Sequence, residues 1–229
     1  MDLAHNLAQV KARIGKAARA CGRDPATVAL VAVSKMQNPQ AVREVARAGQ
    51  QDFGENYLQE ALKKQIAVEN PALIWHFIGP IQSNKTRAIA ENFAWVHSVD
   101  RLKIAQRLSA QRPPHLPPLN VCIEVKVSDE ASKSGVAPHA LAVLAEQVAT
   151  LPQLKLRGLM AIPASTADVY QQRQVFAQVH ALFDTLNQRG LNLDTLSMGM
   201  SDDMEAAIAE GATIVRIGTA IFGSRQILT

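Results

Sequence analysis

The sequence has 229 residues, of which 48% are hydrophobic and 19% are charged, and this composition excludes an intrinsically disordered chain. The formal net charge of +4 comes from 24 basic and 20 acidic residues. The basic residues are scattered and only short pairs such as Lys63-Lys64 occur, so we interpret them as part of a solvated mixed-charge surface and expect no nucleic-acid partner.

The first segment, residues 1–22, has apolar residues at helical spacing between charged ones and predicts an amphipathic helix. It contains no uninterrupted apolar stretch, so we expect neither a signal peptide nor a membrane span. The two cysteines, Cys21 and Cys122, stand far apart, and no Cys/His spacing suits a metal. We therefore expect free thiols, no metal site and a cytoplasmic location.

After this segment, short runs rich in Val and Ile alternate with amphipathic stretches. Eight runs predict strands: VALVAVSK, QDFGENY, IWHFIGP, AWVHSV, NVCIEVKV, LRGLMAIP, TLSMGM and TIVRIG. Segments between them, such as NPQAVREVARAG and SNKTRAIAENF, repeat apolar residues at spacings of three and four, which predicts helices. Gly49 and Gly211 are placed as C′ residues that end two of these helices directly before a strand.

Strand, helix and strand with short links imply right-handed crossovers and parallel strands. Eight such units predict a (β/α)8 TIM barrel, with residues 1–22 as an extra covering helix and residues 1–229 as one domain. An open doubly wound sheet is the alternative, but the turn SKMQNPQA after the first strand lacks the glycines usual there. Residues 112–118, RPPHLPP, predict a stiff surface loop that leads into the fifth strand.

Polar residues follow the predicted strands at their carboxyl ends, which meet at one face of a parallel barrel and usually carry the site. This ring comprises Lys35, Glu55, Asn56, His76, His97, Lys126, Met200, Ser201, Arg216, Gly218 and Thr219. A partly desolvated amine at the position of Lys35 can act as a nucleophile toward carbonyls. The alternative is a strand-end lysine whose ammonium group simply reaches solvent.

The last two strands indicate a phosphate site. The run TLSMGMSDDMEAAIAEG predicts a strand, a tight turn and a helix that starts near Ser201. The free N–H groups at the start of this helix can hold a phosphate. Asp202 and Glu205 also have the spacing of a capping pair, which is the alternative role for this helix start. The eighth strand ends in RIGTAIFG, where Gly218 and Thr219 offer N–H groups beside a hydroxyl. A lysine together with a phosphate site suggests an aldehyde that carries its own phosphate, and pyridoxal 5′-phosphate (PLP) is such a molecule.

Seven blocks of the sequence resemble the PLP homeostasis proteins: VAVSK, FGENY, WHFIGPIQSNK, SDEASKSG, GLMAIP, LSMGMSDDMEAAI and VRIGTAIFG. They follow the family's order from Val31 to Gly223. The resemblance implies a barrel similar to the N-terminal domain of alanine racemase. It also implies that this protein binds PLP without established catalysis and takes part in intracellular vitamin B6 homeostasis. One departure is Lys126, where relatives usually carry asparagine, and it affects only the lining near the fifth strand.

The resemblance also implies roles for single residues. Lys35 would hold PLP as a reversible Schiff base, and Arg216 would face the pyridine nitrogen. The cofactor-binding set that it implies is Lys35, Asn56, His76, Met200, Ser201, Arg216, Gly218 and Thr219, of which Ser201, Gly218 and Thr219 hold the phosphate. Lys133 lies on a loop that the resemblance connects with cofactor exchange.

Arg216 supports a non-catalytic role on physical grounds. A guanidinium opposite the pyridine nitrogen disfavours the pyridinium form, so the cofactor would be a poor electron sink; an ion pair with a nearby acid is the alternative. Because the sequence ends a few residues after the eighth strand, we expect no added β-domain of the racemase type. We predict a monomeric PLP carrier with transient apoenzyme partners, no membrane partner and no catalytic residue, and keep an amino-acid racemase and a Schiff-base aldolase as alternatives.

Overall fold

The computed structural model describes residues 2–127 and 134–223. Its strands are β1 Ala29–Val33, β2 Asp52–Glu55, β3 Ile74–Phe77, β4 Trp95–Val99, β5 Leu119–Glu124, β6 Leu154–Met160, β7 Thr195–Ser197 and β8 Ile214–Ile217. Its α-helices are α1 Leu3–Ala20, α2 Pro39–Arg47, α3 Leu58–Val68, α4 Thr86–Asn92, α5 Leu102–Gln111, α6 Pro138–Ala149, α7 Val169–Gln188, α8 Met204–Ala209 and α9 Thr219–Phe222.

The eight strands form a closed barrel in chain order, and neighbouring strands are parallel. The first and last strands close it, with Val31 opposite Arg216 and Ala32 opposite Ile217. The predicted (β/α)8 TIM barrel is therefore confirmed, and the open doubly wound sheet is excluded. Six of the eight predicted runs contain a whole strand, while β5 and β6 begin one and two residues before their runs.

Burial explains why the strands read as nearly continuous apolar runs. Parallel strands in a barrel are covered by helices on one side and by the barrel interior on the other, so both faces need apolar residues. In β1, for example, all residues from Leu30 to Val33 are buried. The helices bury one side each: α2 buries Val42 and Val45.

Helix α1 covers the outside of the last units of the barrel. It packs against α8 and α9, and it buries Leu7, Val10 and Ile14. Arg13 connects it to α8 through hydrogen bonds of 2.9 and 3.1 Å to the carboxylate of Glu205. Across the residues that the structure describes, no helix combines the length and apolarity needed to cross a membrane.

The ends of two helices confirm one prediction and correct another. Gly49 (φ 89°) and Gly211 (φ 96°) directly follow the C-caps of α2 and α8, as predicted. However, α8 begins at Met204 and not near Ser201, because residues 201–203 form a turn. The predicted capping pair does not form, since Glu205 instead accepts hydrogen bonds from α1.

The proline-rich segment 112–118 is a loop between α5 and β5, as predicted. Its first side chain is nevertheless buried, because the Arg112 guanidinium donates to the carbonyl oxygens of Ala90, Phe93 and Pro117 at 2.6 to 2.9 Å. The loop is thus anchored to the end of α4.

Candidate functional site

A cavity of about 200 Å³ opens at the carboxyl ends of the strands. Seven of the eight predicted cofactor-binding residues line it: Lys35, Asn56, Met200, Ser201, Arg216, Gly218 and Thr219. Apolar side chains, among them Val33, Ile78 and Ile162, form the remaining wall. The closure of β1 on β8 explains this grouping, because it places Lys35 next to the residues that follow β8.

Hydrogen bonds on both sides of Lys35 fix the backbone that carries it. Ser34 N donates to Gly54 O at 3.0 Å and continues the pairing of β1 with β2, while the Ser34 hydroxyl donates to Glu55 Oε1 at 2.6 Å. On the other side, Met36 adopts a left-handed conformation (φ 63°), and its N–H donates to Glu60 Oε1 at 2.5 Å.

A buried ammonium group connects these contacts. Lys64 Nζ donates to Ser34 O and Glu55 Oε1, both at 2.6 Å, and to Glu60 Oε1 at 2.8 Å. Burial raises the pKa of the Glu55 carboxyl, while the charge of Lys64 acts in the opposite direction. The interpretation of the Lys63-Lys64 pair as solvated surface is therefore wrong for Lys64, whose side chain is 2% exposed.

Arg216 lies under the cavity and is almost completely buried. Its Nη1 donates to the carbonyl oxygen of Ser197 at 2.6 Å and to the Ser197 hydroxyl at 2.7 Å, and its Nη2 donates to Ala161 O at 2.9 Å. Burial lowers the pKa of the guanidinium to about 10, which still leaves it charged at neutral pH. Within residues 2–127 and 134–223, Arg216 forms no ion pair, so the alternative that we considered for it is not observed there.

The turn after β7 and the start of α9 meet at one end of the cavity. Ala220 N donates to the Ser201 hydroxyl at 3.4 Å, and Gly218 precedes the first residue of α9. Backbone N–H groups at the start of a helix attract anions, although α9 is short. Of the two neighbouring aspartates, Asp203 accepts from Met200 N through Oδ1 at 2.5 Å, while Asp202 lines the cavity.

Within the predicted cofactor-binding set, His76 is the one residue that does not line the cavity. It is the third residue of β3 and pairs with Gly54 and Trp95, so the strand register places it deeper than the strand end. Its ring lies between Asp52 and His97, with nitrogen contacts of 2.9 Å to each. His97 is likewise buried inside the barrel and does not line the cavity.

A second cavity of about 170 Å³ adjoins the first and shares Asn56, Ile78 and Ile162 with it. Lys126 and Glu124 line this second cavity and not the first. Asn56 Oδ1 is buried without a hydrogen-bond partner among the described residues. Lys133, which we associated with cofactor exchange, lies outside the described residues.

Sequence reasoning missed Lys64, Ser197 and Glu60. A helical Glu60–Lys64 pair at i and i+4 reads as an ordinary surface ion pair, so only the packing of α3 against the barrel reveals its role. Ser197 stands inside the seventh predicted strand without any flanking signal.

Comparisons with known proteins find relatives along nearly the whole chain. A sequence model of the family described as "Alanine racemase, N-terminal domain" matches residues 2–226. The chain is 66% identical over 224 residues to the "Pyridoxal phosphate homeostasis protein" of Pseudomonas aeruginosa, covering 98% of this chain and 96% of that protein. It is 55% identical over 230 residues to the protein of the same name in Escherichia coli K12, covering 98% and 97%.

A solved structure is similar along nearly the whole chain. It is PipY of Synechococcus elongatus with PLP bound, which is 37% identical and superposes with a TM-score of 0.85. The match covers 96% of this chain and 100% of the PipY chain.

Proposed function

This chain belongs to the family of pyridoxal phosphate homeostasis proteins, and on that premise we propose that it binds PLP in the cavity at the barrel mouth and holds it as a reversible Schiff base on Lys35. The protein would act as a carrier and buffer of the cofactor, without catalytic turnover. PLP supplies an aldehyde that condenses reversibly with amines and a ring that can accept electrons.

One observation carries this proposal: three kinds of group that PLP requires line the same cavity. Lys35 supplies an amine for the aldehyde. Arg216 supplies N–H donors for the pyridine nitrogen. Ser201 and the Gly218-Thr219 segment supply hydroxyl and backbone N–H groups for the phosphate.

The buried oxygen of Asn56 adds support. Asn56 Oδ1 has no partner among the described residues, and a buried acceptor without a partner is costly. PLP carries a ring hydroxyl that can donate a hydrogen bond. Asn56 therefore fits the wall of a PLP site better than the wall of an apolar pocket.

Arg216 supports the absence of turnover. A guanidinium donates hydrogen bonds and cannot accept the proton of a pyridinium, so this residue favours the unprotonated ring nitrogen. Because an unprotonated ring withdraws electrons weakly, a bound amino acid would not readily lose its α-hydrogen. The proposal includes a monomeric, cytoplasmic protein that passes PLP transiently to apoenzymes.

The first test is the absorption spectrum of the purified protein with added PLP, followed by borohydride reduction and peptide mass mapping. We expect a Schiff-base band in the wild type, its loss in Lys35→Ala, and a reduced adduct on the peptide that contains Lys35. Lys126→Ala is the matched control, because this lysine lies at the mouth but outside the cavity. An adduct on another lysine, or an unchanged band in Lys35→Ala, would overturn the assignment.

The second test separates a carrier from an enzyme. The PLP-loaded protein is incubated with alanine or serine in deuterated water, and α-hydrogen exchange is followed by NMR. We expect no exchange above that of free PLP, whereas exchange that Lys35→Ala abolishes would support an amino-acid racemase.

A further inference from the structure

Four hydrogen bonds in series cross the interior of the barrel and end at Arg216. They join Asp52 Oδ1 to His76 Nε2 at 2.9 Å, His76 Nδ1 to His97 Nε2 at 2.9 Å, His97 Nδ1 to Ser197 Oγ at 2.7 Å, and Ser197 Oγ to Arg216 Nη1 at 2.7 Å. The five residues that these bonds join lie on β2, β3, β4, β7 and β8 in turn. We call these five residues the interior chain.

The direction of the bonds follows from the Asp52 end. A carboxylate accepts, so His76 Nε2 carries the hydrogen. Burial lowers the pKa of His76, and it lowers that of His97 well below its ordinary value, so we expect both rings to be neutral at neutral pH, each with one N–H. His76 Nδ1 is then an acceptor for His97 Nε2–H, and His97 Nδ1 is an acceptor for the hydroxyl of Ser197.

The Arg216 end gives the same direction independently. A guanidinium has no acceptor, so Ser197 Oγ accepts from Arg216 and has its own hydrogen available for His97. Every bond in the interior chain therefore points the same way, from the cation at Arg216 to the carboxylate of Asp52. Aligned hydrogen bonds polarise and strengthen one another inside a protein.

The location of these residues is unusual for a core. Barrel interiors are normally filled by bulky branched apolar side chains. Here His97 and Ser197 are fully buried, and His76 is 2% exposed. Burying so many polar groups is costly unless each has a hydrogen-bond partner, and the members of the interior chain are partners for one another.

The interior chain determines which hydrogens of Arg216 remain available to the cavity. A guanidinium has five N–H donors, and Ser197 and Ala161 together accept at most three of them. Because Arg216 lines the cavity, its remaining donors can serve a group bound there. If the Ser197 hydroxyl lost its acceptor at His97, it could rotate, and Arg216 would lose one of its fixed contacts.

We propose that Ser197, His97, His76 and Asp52 are positioning residues that hold the Arg216 guanidinium at the pyridine nitrogen of PLP. This inference rests on the proposed function for the identity of the ligand. It extends the site from the barrel mouth to Asp52, whose side chain is 31% exposed at the amino-terminal end of β2.

The first arm of the test uses the protein without PLP and therefore does not depend on the proposed function. Side-chain ¹⁵N NMR of the histidines is expected to show His76 and His97 as neutral Nε2–H tautomers at neutral pH, with exposed His5 as a reference. In Ser197→Ala, the Nδ1 signal of His97 should move to the value of an unbonded nitrogen. A charged ring, or an Nδ1–H tautomer at either position, would overturn the inference.

The second arm measures PLP binding and the Schiff-base band in Ser197→Ala and His97→Phe. We expect the dissociation constant for PLP to rise about tenfold and the band to change its position or pH dependence, while the adduct stays on Lys35. Ser197→Thr, which keeps the hydroxyl, should restore both properties. Cys122→Ala is the control for a change in the buried barrel wall, because Cys122 is fully buried and outside the interior chain.

The outcomes of the two arms are distinguishable. Wild-type protein that does not bind PLP would contradict the proposed function, while the NMR result still decides the interior chain. Unchanged affinity and spectrum in folded Ser197→Ala, or equal losses in Ser197→Ala and Cys122→Ala, would overturn the positioning role. If Ser197→Ala does not fold, His97→Phe and the wild-type tautomers give the decision.

Discussion

Lys64 Nζ lies 2.6 Å from Glu55 Oε1, and their side chains are 2% and 0% exposed. This buried ion pair supports the backbone on both sides of Lys35, because the same ammonium group also binds Ser34 O and Glu60. A buried pair of this kind contributes little net stability over an apolar pair, but the removal of one partner leaves a charge uncompensated.

We expect Lys64→Met to lower the free energy of unfolding by about 3 to 5 kcal/mol, since it leaves Glu55 buried without its cation. It should also weaken PLP binding, because Ser34 O and Glu60 lose the contact that joins them. Urea unfolding measures the first effect and PLP titration the second. Lys63→Met is the control, as Lys63 is exposed, and equal effects of the two substitutions would contradict the role of Lys64.

Two glycine-to-alanine substitutions should change the stability of the protein in opposite directions. At Gly79 a Cβ would lie 2.3 Å from Asn56 O and 2.8 Å from Asn56 Cα, so the backbone of a cavity residue must move. We expect a loss of about 1 to 3 kcal/mol in stability together with weaker PLP binding.

At Gly15, inside α1, a Cβ would meet only the flexible end of Arg19, at 3.3 Å and beyond. Alanine favours a helix interior over glycine, so we expect a gain of about 0.5 to 1 kcal/mol and unchanged PLP binding. Thermal unfolding of both variants checks the pair, and a loss of stability in Gly15→Ala would contradict the expectation.

Glu124 should make the free energy of unfolding decrease as pH rises toward neutrality. Burial and, to a smaller extent, the charge of Asp100 raise the pKa of its carboxyl to about 7, against the opposing charge of Arg216. The folded protein therefore keeps this proton to a higher pH than the unfolded chain, whose ordinary value is 4.5. Between these two values the free energy of unfolding decreases as pH rises, and above the folded value the effect is constant.

The check is the melting temperature of wild type and Glu124→Gln from pH 4 to 9. Glutamine cannot ionise, so its advantage over the wild type should grow between about pH 4.5 and pH 7 and then level off. A difference that does not change over this range would show that Glu124 does not titrate as expected.

The two cysteines should differ in reactivity. Cys21 is exposed, whereas Cys122 is buried in β5 and burial raises the pKa of its thiol to about 12. Because the thiolate is the reactive form, we expect one fast-reacting thiol in the native protein and two after denaturation. Titration with a chromogenic disulfide reagent, with Cys21→Ser as the reference variant, measures this. Rapid native labelling of Cys122 would contradict the prediction.

Much of the fold could be predicted because its signals are local. Each strand is a short apolar run, and Gly49 and Gly211 mark helix ends through a backbone conformation that glycine adopts easily. The start of α8 was predicted too early, because Asp203 bonds back to Met200 N and holds residues 201–203 in a turn.

The site could be predicted where residues follow strand ends and could not be predicted where depth matters. Lys35 lies two residues after β1 and Gly218 directly follows β8, so chain order is enough to bring them together. The depth of His76 depends on how β3 is staggered against β2 and β4, which no local pattern encodes. Lys64 is hidden for a related reason: its neighbour Lys63 is exposed, and only the rotation of α3 about its axis separates the two.

The closure of β1 on β8 has a consequence for when the cavity can form during synthesis. Lys35 belongs to the first strand and Gly218 and Thr219 follow the last, so nearly the whole chain must leave the ribosome before the two walls of the cavity can meet. A nascent or truncated chain that lacks β8 has the amine but neither the guanidinium nor the final N–H groups. Under the proposed function, PLP binding therefore requires that β8 has been synthesised, and a molecule that stalls earlier lacks the complete cavity.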